Sequence, residues 1–89
     1  MFNKPKSYVK LPPKDRIKLH NKQRKKILAY MEKNGLNPHK LSLMAERDGS
    51  YLGVFLSDEN RVITRDVAKL LVNATKKSPN KLKISDFGY

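Results

Sequence analysis

Cysteine and tryptophan are absent from this 89-residue chain, and glycine occurs only four times. Without cysteine, neither a disulfide framework nor a cysteine-based zinc site can supplement the core. The two histidines, His20 and His39, lie far apart and have no carboxylates at ligand spacing, so we expect no metal and no cofactor. A chain of this length forms one domain and buries roughly two-thirds of its unfolded surface, so its core must be small.

Long apolar runs are also missing. No stretch reaches the roughly 18 residues that a membrane span needs. The N-terminal segment MFNKPKSYVKLPPK is charged and lacks the hydrophobic part of a secretory signal. Paired carboxylates in an apolar setting, a nucleophile at a suitable spacing from histidine and a glycine-rich phosphate loop are absent as well. We therefore expect a soluble, cytoplasmic protein that is not an enzyme.

Positive charge is what the chain has in excess, with 20 Lys and Arg against 8 Asp and Glu, a net charge of +12. Residues 1–26 hold ten basic residues and one acidic residue, residues 27–75 hold six of each, and residues 76–89 hold four and one. A neutral centre between cationic flanks suits a polyanionic partner, most simply nucleic acid. A solubilising surface is the alternative, although ordinary domains rarely need so uneven a balance.

The first segment, residues 1–13, contains three prolines and three lysines among scattered apolar residues, which predicts a flexible basic arm. Pro13 can serve as the first residue of a helix that ends at Gly35. The apolar stripe of this helix consists of Ile27, Leu28 and Met31. The stretch HNKQRKK has no apolar residue, so packing should begin near Lys22, and residues 14–21 form either a looser leading turn or a separate short helix.

Two short helices are expected next, at about residues 38–46 and 49–57. Asn37 is a good N-cap for the first of them and Pro38 a good first residue, and Asp48 can cap the second. The apolar positions at helical spacing are Leu41, Met44 and Ala45 in the first and Leu52, Phe55 and Leu56 in the second. A strand is the alternative for RDGSYLGVFL, because Asp-Gly beside aromatic and β-branched residues resembles a hairpin. No partner strand of similar character lies nearby, which favours the helix.

A fourth helix, RDVAKLLVNAT, follows the polar loop SDENR. Thr64 is its expected N-cap and Asp66 lies favourably in its first turn. Its predicted buried stripe is Val67, Leu70, Leu71 and Ala74. Residues 78–89 form either a short fifth helix or an edge strand. The expected fold is therefore all-α, with four to five helices and a domain over residues 14–77.

Taken in order, the segments ILAYMEKNG, LNPHKLSLMA, SYLGVFL and TRDVAKLLVNA resemble the Cro/repressor-type (XRE-like, lambda-repressor-like) helix-turn-helix DNA-binding family. The likeness covers about residues 22–75 and lies in the order and spacing of four helices. It implies that the second short helix enters the major groove of double-stranded DNA while the first braces it. This chain departs from the family pattern at three places. Glu46 or Arg47 replaces the usual turn glycine, Ser42 replaces alanine, and Pro38 replaces a glutamine that touches DNA in many members.

The resemblance places base-reading positions at the turn and on the outer face of the recognition helix. These positions are Arg47, Asp48, Gly49, Ser50, Tyr51, Gly53 and Val54. Arg47 is able to make a bidentate contact to guanine, Ser50 can bond to several base edges, and Val54 can touch a thymine methyl group. Gly49 and Gly53 would let the helix backbone approach DNA closely.

Phosphate contacts are expected from the helix N-termini, the loop after the recognition helix and the basic arm. The candidate residues are Asn37, His39, Lys40, Asn60, Arg61, Lys4, Lys6 and Lys10. Three assignments have a structural alternative. Tyr51 could pack at the core edge, His39 could be a merely exposed helix residue, and Arg47 could pair with a neighbouring carboxylate. The cluster of Lys22, Arg24, Lys25 and Lys26 is either an electrostatic patch or a solvated helix face.

The leading hypothesis is a sequence-specific DNA-binding transcriptional regulator, a repressor of phage or mobile-element type that binds its operator as a dimer. The C-terminal segment is the expected dimer contact, because its apolar residues have no obvious partner in a four-helix core. These residues are Leu82, Ile84, Phe87 and Tyr89. The alternative is a non-specific nucleic-acid-binding protein, such as a small RNA-, ribosome- or nucleoid-associated factor. An interaction module such as an antitoxin is neither favoured nor opposed.

Overall fold

Residues 11–89 are described by a computed structural model, and within this range the chain is all-helical, with no strand. The elements are α1 (Pro13–Asn34), α2 (Pro38–Met44), α3 (Tyr51–Ser57), α4 (Arg65–Thr75) and a 3-10 helix (Ile84–Phe87). The all-α class predicted from the sequence is therefore confirmed. None of these helices has the length and apolar character that crossing a bilayer requires.

One uninterrupted helix, α1, begins at Pro13 as predicted, and residues 14–21 form neither a loose turn nor a separate helix. Its buried face consists of His20, Gln23, Ile27, Tyr30 and Met31. The predicted stripe is wrong at Leu28, which is exposed because it points about 100° away from its buried neighbour on the helix. Packing also begins earlier than expected, at His20 and not near Lys22.

Two polar side chains of α1 fasten it to the rest of the core. The Gln23 amide nitrogen donates to the carbonyl oxygens of Ile63 (3.1 Å) and Phe87 (3.0 Å), and its oxygen accepts from Ile63 N (2.8 Å). His20 Nδ1 donates to the Arg61 carbonyl at 2.7 Å, and its ring centroid lies 4.5 Å from that of Phe55. Within the described part of the chain, every buried side-chain nitrogen and oxygen has a hydrogen-bond partner. The polar buried stripe is therefore satisfied and not strained.

Residues in the left-handed region end the first two helices. Gly35 (φ +63°) follows α1, as predicted. After α2 the left-handed position is Glu46 (φ +59°), whose N–H donates to Leu43 O while Arg47 N donates to Ser42 O, both at 3.0 Å. These paired bonds form a Schellman ending, which usually carries glycine at this position. The prediction that this turn is made with a non-glycine residue is confirmed.

α2 and α3 pack on each other, and Ser42 joins them. Its hydroxyl donates to Pro38 O (2.7 Å) and accepts from Leu52 N (3.0 Å), one of the unpaired N–H groups at the start of α3. α2 begins after Asn37, whose side chain caps it as predicted. It ends two residues early, and Met44 is exposed and not buried because the chain turns there.

α4 has the bounds that the sequence predicts. Its buried residues are Val67, Ala68, Leu71 and Thr75, while Leu70 and Ala74 are half-buried. Thr64 precedes it in extended conformation but makes no side-chain capping bond. Thr75 Oγ1 donates to Leu71 O (2.9 Å) and accepts from Leu82 N (3.1 Å), so the end of α4 holds the start of the C-terminal segment.

That C-terminal segment completes the core. Phe87 is 0% exposed and Leu82 is buried, and the 3-10 helix packs against α1 and α4. The predicted dimer contact is therefore wrong for these two residues, because they are already covered by their own chain. Ile84 and Tyr89 are half-buried against the same core, and the Tyr89 hydroxyl donates to Ile63 O. The edge-strand alternative is also wrong, since residues 84–87 form a 3-10 helix.

Candidate nucleic-acid interface

α3 has one buried and one open face. Leu52 and Phe55 lie in the core, whereas Val54, two positions from Leu52 and therefore on the opposite side, is 42% exposed. Gly53 is exposed beside it, and a Cβ built there would meet nothing within 4 Å. The outer surface of α3 is thus slim and unobstructed, as a helix that enters a groove must be.

A surface groove of about 350 Å³ lies along this open face. It is lined by Asp48, Ser50, Tyr51, Val54, Phe55, Arg61 and Val62. Four of the predicted base-reading residues are therefore brought together with Arg61, a predicted phosphate contact. The sequence reading missed Val62, since a lone valine in a polar loop has no distinguishing pattern.

Asp48 and Ser50 bond to each other at the start of α3. The Asp48 carboxylate accepts from Ser50 N (2.8 Å) and from Ser50 Oγ (2.6 Å). These bonds hold the pKa of Asp48 below its ordinary value. Because the hydroxyl proton is used internally, this corner presents mainly acceptor oxygens. Acceptors of this kind suit the amino groups of cytosine and adenine.

Gly49 lies beside the His39 side chain. A Cβ at this position would lie 2.5 Å from Nδ1 of the His39 imidazole, so a larger residue here would displace that ring. Close approach of DNA at Gly49 and at Gly53 stays a prediction. His39 is exposed, but its ring lies against the turn rather than extending freely into solvent.

Tyr51, the first residue of α3, packs at the core edge, which is one of the two roles that the sequence left open, and its contact with phosphate stays a prediction. Its side chain packs against the core and also lines the groove. Burial raises the pKa of Tyr51 above its ordinary value, partly opposed by the positive charges of Arg47 and Arg61. The phenol is thus neutral at physiological pH, lies within the field of two guanidinium groups, and is able to donate a hydrogen bond to a phosphate oxygen.

The other predicted phosphate-binding residues differ in their exposure and in whether their side chains already have hydrogen-bond or ion-pair partners. Asn37 uses its side-chain oxygen to accept from Lys40 N at 2.8 Å, whereas the Lys40 side chain is exposed. Asn60 is exposed, and Arg61 pairs loosely with Asp58 at 3.5 Å while most of its side chain remains in solvent. The predicted contacts Lys4, Lys6 and Lys10, with the rest of residues 1–10, lie outside the described residues.

Arg47 is exposed and stands at the edge of the turn. Its Nε donates to the carbonyl oxygen of Glu46 at 3.3 Å. Among residues 11–89 it makes no ion pair, so the alternative in which it pairs with a neighbouring carboxylate is wrong. Its guanidinium is therefore available to a ligand.

Charge near α3 is balanced, in contrast to the chain as a whole. Residues 37–66 carry four basic and five acidic residues, and α3 itself carries none. The described positive charge is concentrated instead on α1, which has eight basic and two acidic residues. Within the described range, no group of three histidine or carboxylate side chains is arranged to hold a metal ion.

Comparison with protein-family models, with curated proteins and with solved structures finds no match for this chain.

Proposed function

We propose that this chain is a sequence-specific, double-stranded DNA-binding regulator of the lambda-repressor-like helix-turn-helix type, with α3 in the major groove and α2 bracing it. The observation that supports this most directly is the two-sidedness of α3. Leu52 and Phe55 fix one face in the core, the Ser42 hydroxyl fixes its start, and the other face is slim and open. A short helix held this way and exposed on one side suits insertion into a groove about 12 Å wide.

Base contacts in this proposal come from few side chains. Val54 reads a thymine methyl group, the Asp48–Ser50 pair accepts from an amino group, and Arg47 reaches guanine. Gly53 lets the helix backbone approach the base edges. Specificity thus depends on shape and apolar contact as much as on hydrogen bonds.

Phosphate contacts flank these positions. Arg61 lies in the loop after α3 and borders the same groove as the Tyr51 hydroxyl, while Lys40 is exposed on α2. These groups would orient α3 without reading sequence. Because one short helix reads only a few base pairs, two copies on neighbouring half-sites would be needed for a selective repressor.

Selection of sequences from a random duplex pool tests the proposal. We expect an enriched, two-fold symmetric motif whose affinity greatly exceeds that of random DNA at the same salt concentration. The balanced charge around α3 favours one alternative, non-specific nucleic-acid binding through α1. No enrichment, with equal affinity for all duplexes, would establish that alternative in place of the proposal.

Arg47→Ala provides a finer test on the selected site. It should relax the preference at one or two base positions by about 1–3 kcal/mol, because a bidentate contact is lost. Lys69→Ala, at an exposed position on α4, is the matched loss of one charge and should leave every base preference unchanged. If the two variants had the same base preferences, Arg47 would not be a base-reading residue.

A further inference from the structure

The solvent face of α1 carries a column of lysines. Its members are Lys14, Lys18, Lys22 and Lys25, at positions i, i+4, i+8 and i+11, and all four are exposed. Lys18 and Lys22 stand two residues on either side of the buried His20, so they point away from the core. At 1.5 Å per residue the column is about 16 Å long. That length is sufficient to contact several phosphates of a duplex.

These lysines form no ion pairs among the described residues, although the exposed carboxylate of Asp15 lies beside Lys18 and Lys22. The ion pairs found among the described residues are Lys26–Asp86 (3.8 Å) and Arg61–Asp58 (3.5 Å), and neither involves the column. From residue 14 to residue 25 the exposed side chains of α1 are all charged or polar. A membrane-surface helix would instead need apolar residues beside its charges. Unpaired ammonium groups on a polar face suit a sequence-independent phosphate backbone.

The lysine column and the open face of α3 are separate surfaces. α1 and α3 meet where the rings of His20 and Phe55 are 4.5 Å apart. The column is on the side of α1 away from that contact, and Val54 lies about 100° around α3 from Phe55. The two surfaces therefore face different directions.

We propose that the lysine column is a second binding surface for duplex DNA, so that one molecule can hold two duplex segments at once. The proposal rests on the proposed function for the first of these segments, which occupies α3. DNA is stiff over about 150 base pairs, so a short duplex bound without bending cannot follow two surfaces that face different directions. The second segment is held without regard to sequence, since lysine acts as a point charge and reads no base edge here.

A two-duplex capture experiment with the full chain tests this. One short duplex carrying the selected site is immobilised and saturated with protein, and capture of a fluorescent duplex of unrelated sequence is then measured across a salt series. The test variant is Lys18→Gln/Lys22→Gln/Lys25→Gln, which keeps good helix-forming residues. The matched control removes the same charge elsewhere, as Lys69→Gln/Lys76→Gln/Lys77→Gln. Circular dichroism checks that both variants retain the helical content of the parent.

We expect the parent and the control to capture the second duplex. The α1 variant should capture it roughly ten-fold less well, with a salt slope smaller by about 3, while still binding the immobilised site. The proposal is overturned if the parent captures no second duplex, if the two triple variants behave alike, or if single-stranded RNA is captured in preference to duplex DNA. Capture by a dimer through two α3 faces would survive the α1 substitutions and would also overturn it.

Failure of the proposed function would be detected separately, when the protein binds the immobilised duplex. Without sequence preference at α3, the immobilised site and a random duplex would bind equally well. Val54→Glu tests that face directly, because it places a carboxylate where base edges would lie. It should abolish preference for the selected site, yet leave direct binding of unrelated duplex through the lysine column at the parental salt slope.

Discussion

α1 and α3 touch each other through buried rings, yet their outer faces have opposite characters. α1 is 22 residues long, with eight basic and two acidic residues, whereas the seven residues of α3 carry no charge. The net charge of +12 is thus a poor guide to the position of the proposed recognition helix. In this protein, electrostatic attraction and groove shape belong to different surfaces. General capture of DNA and selective reading should accordingly respond to different substitutions.

The two helices are also held differently. α1 is fastened by buried polar bonds to segments 40 and 64 residues away, through Gln23. The start of α3 is held by bonds to residues nearer in sequence, from Leu52 N to the Ser42 hydroxyl and from Ser50 to the Asp48 carboxylate. Substitutions that disturb α1 should therefore lower the free energy of unfolding, whereas substitutions near α3 should mainly lower the affinity for DNA.

Phe87→Ala should have the largest effect. Truncating a fully buried ring that lies between α1 and α4 should lower the free energy of unfolding by about 3–5 kcal/mol. Denaturant titration measures this, with Ser85→Ala in the same 3-10 helix as the exposed control. A loss of stability that appears only when the protein is diluted would instead place Phe87 in a subunit interface.

Gln23→Met should cost about 2–3 kcal/mol, although its volume is almost unchanged. It leaves the N–H of Ile63 and the carbonyl of Phe87 buried without their side-chain partner. Asn21→Met, two residues earlier and exposed on the other side of α1, is the control. If both substitutions lowered the unfolding temperature equally little, the buried polar bonds would not stabilise α1 more than they stabilise α3.

Ser42→Ala should cost about 1–2 kcal/mol in stability, because the buried Leu52 N–H loses its acceptor. Its effect on the affinity for the selected site should be larger than its stability loss alone explains, since the start of α3 would fray. Ser57→Ala removes an exposed hydroxyl from the other end of α3 and serves as control. Unaltered affinity at a temperature where both variants are folded would contradict the assigned role of Ser42.

Glu46→Gly should have the smallest effect, and it should raise the free energy of unfolding instead of lowering it. Replacing a residue at φ +59° with glycine relieves left-handed backbone strain and should stabilise the protein by about 0.5–1 kcal/mol. Glu46→Ala removes the same carboxylate but retains the strain, so it should not stabilise. A gain from both variants would assign the effect to charge and not to the backbone.

Local chemistry explains which parts of the fold could be predicted from the sequence. The cap at Asn37, the helix start at Pro13, the bounds of α4 and the strained turn at Glu46 all depend on residues within a few positions of each other. Apolar spacing also placed Leu52 and Phe55 correctly. Preferences of this kind are present in any short window of sequence.

The errors share a different cause, which is dependence on distant partners. Gln23 is buried only because backbone groups near residues 63 and 87 meet its amide, and hydropathy contains no sign of this. The sequence predicts an interface at Phe87 because the C-terminal apolar residues have no obvious partner in a four-helix core, and a 3-10 helix this short has no apolar period that would reveal its packing. Each error concerned a contact that only the folded chain creates.

The bonds of Gln23 also have a consequence for synthesis of the chain. A ribosome makes the protein from residue 1 onward, at about 5–20 residues per second. α1 and both short helices are synthesised well before Phe87. Until Phe87 is added, the C-terminal segment cannot cover the amide of Gln23 and the apolar side chains around it. A nascent chain that stalls before residue 87 should therefore remain open to proteases and chaperones, even when α2 and α3 are already complete. Interrupted translation would then yield no stably folded fragment that presents α3.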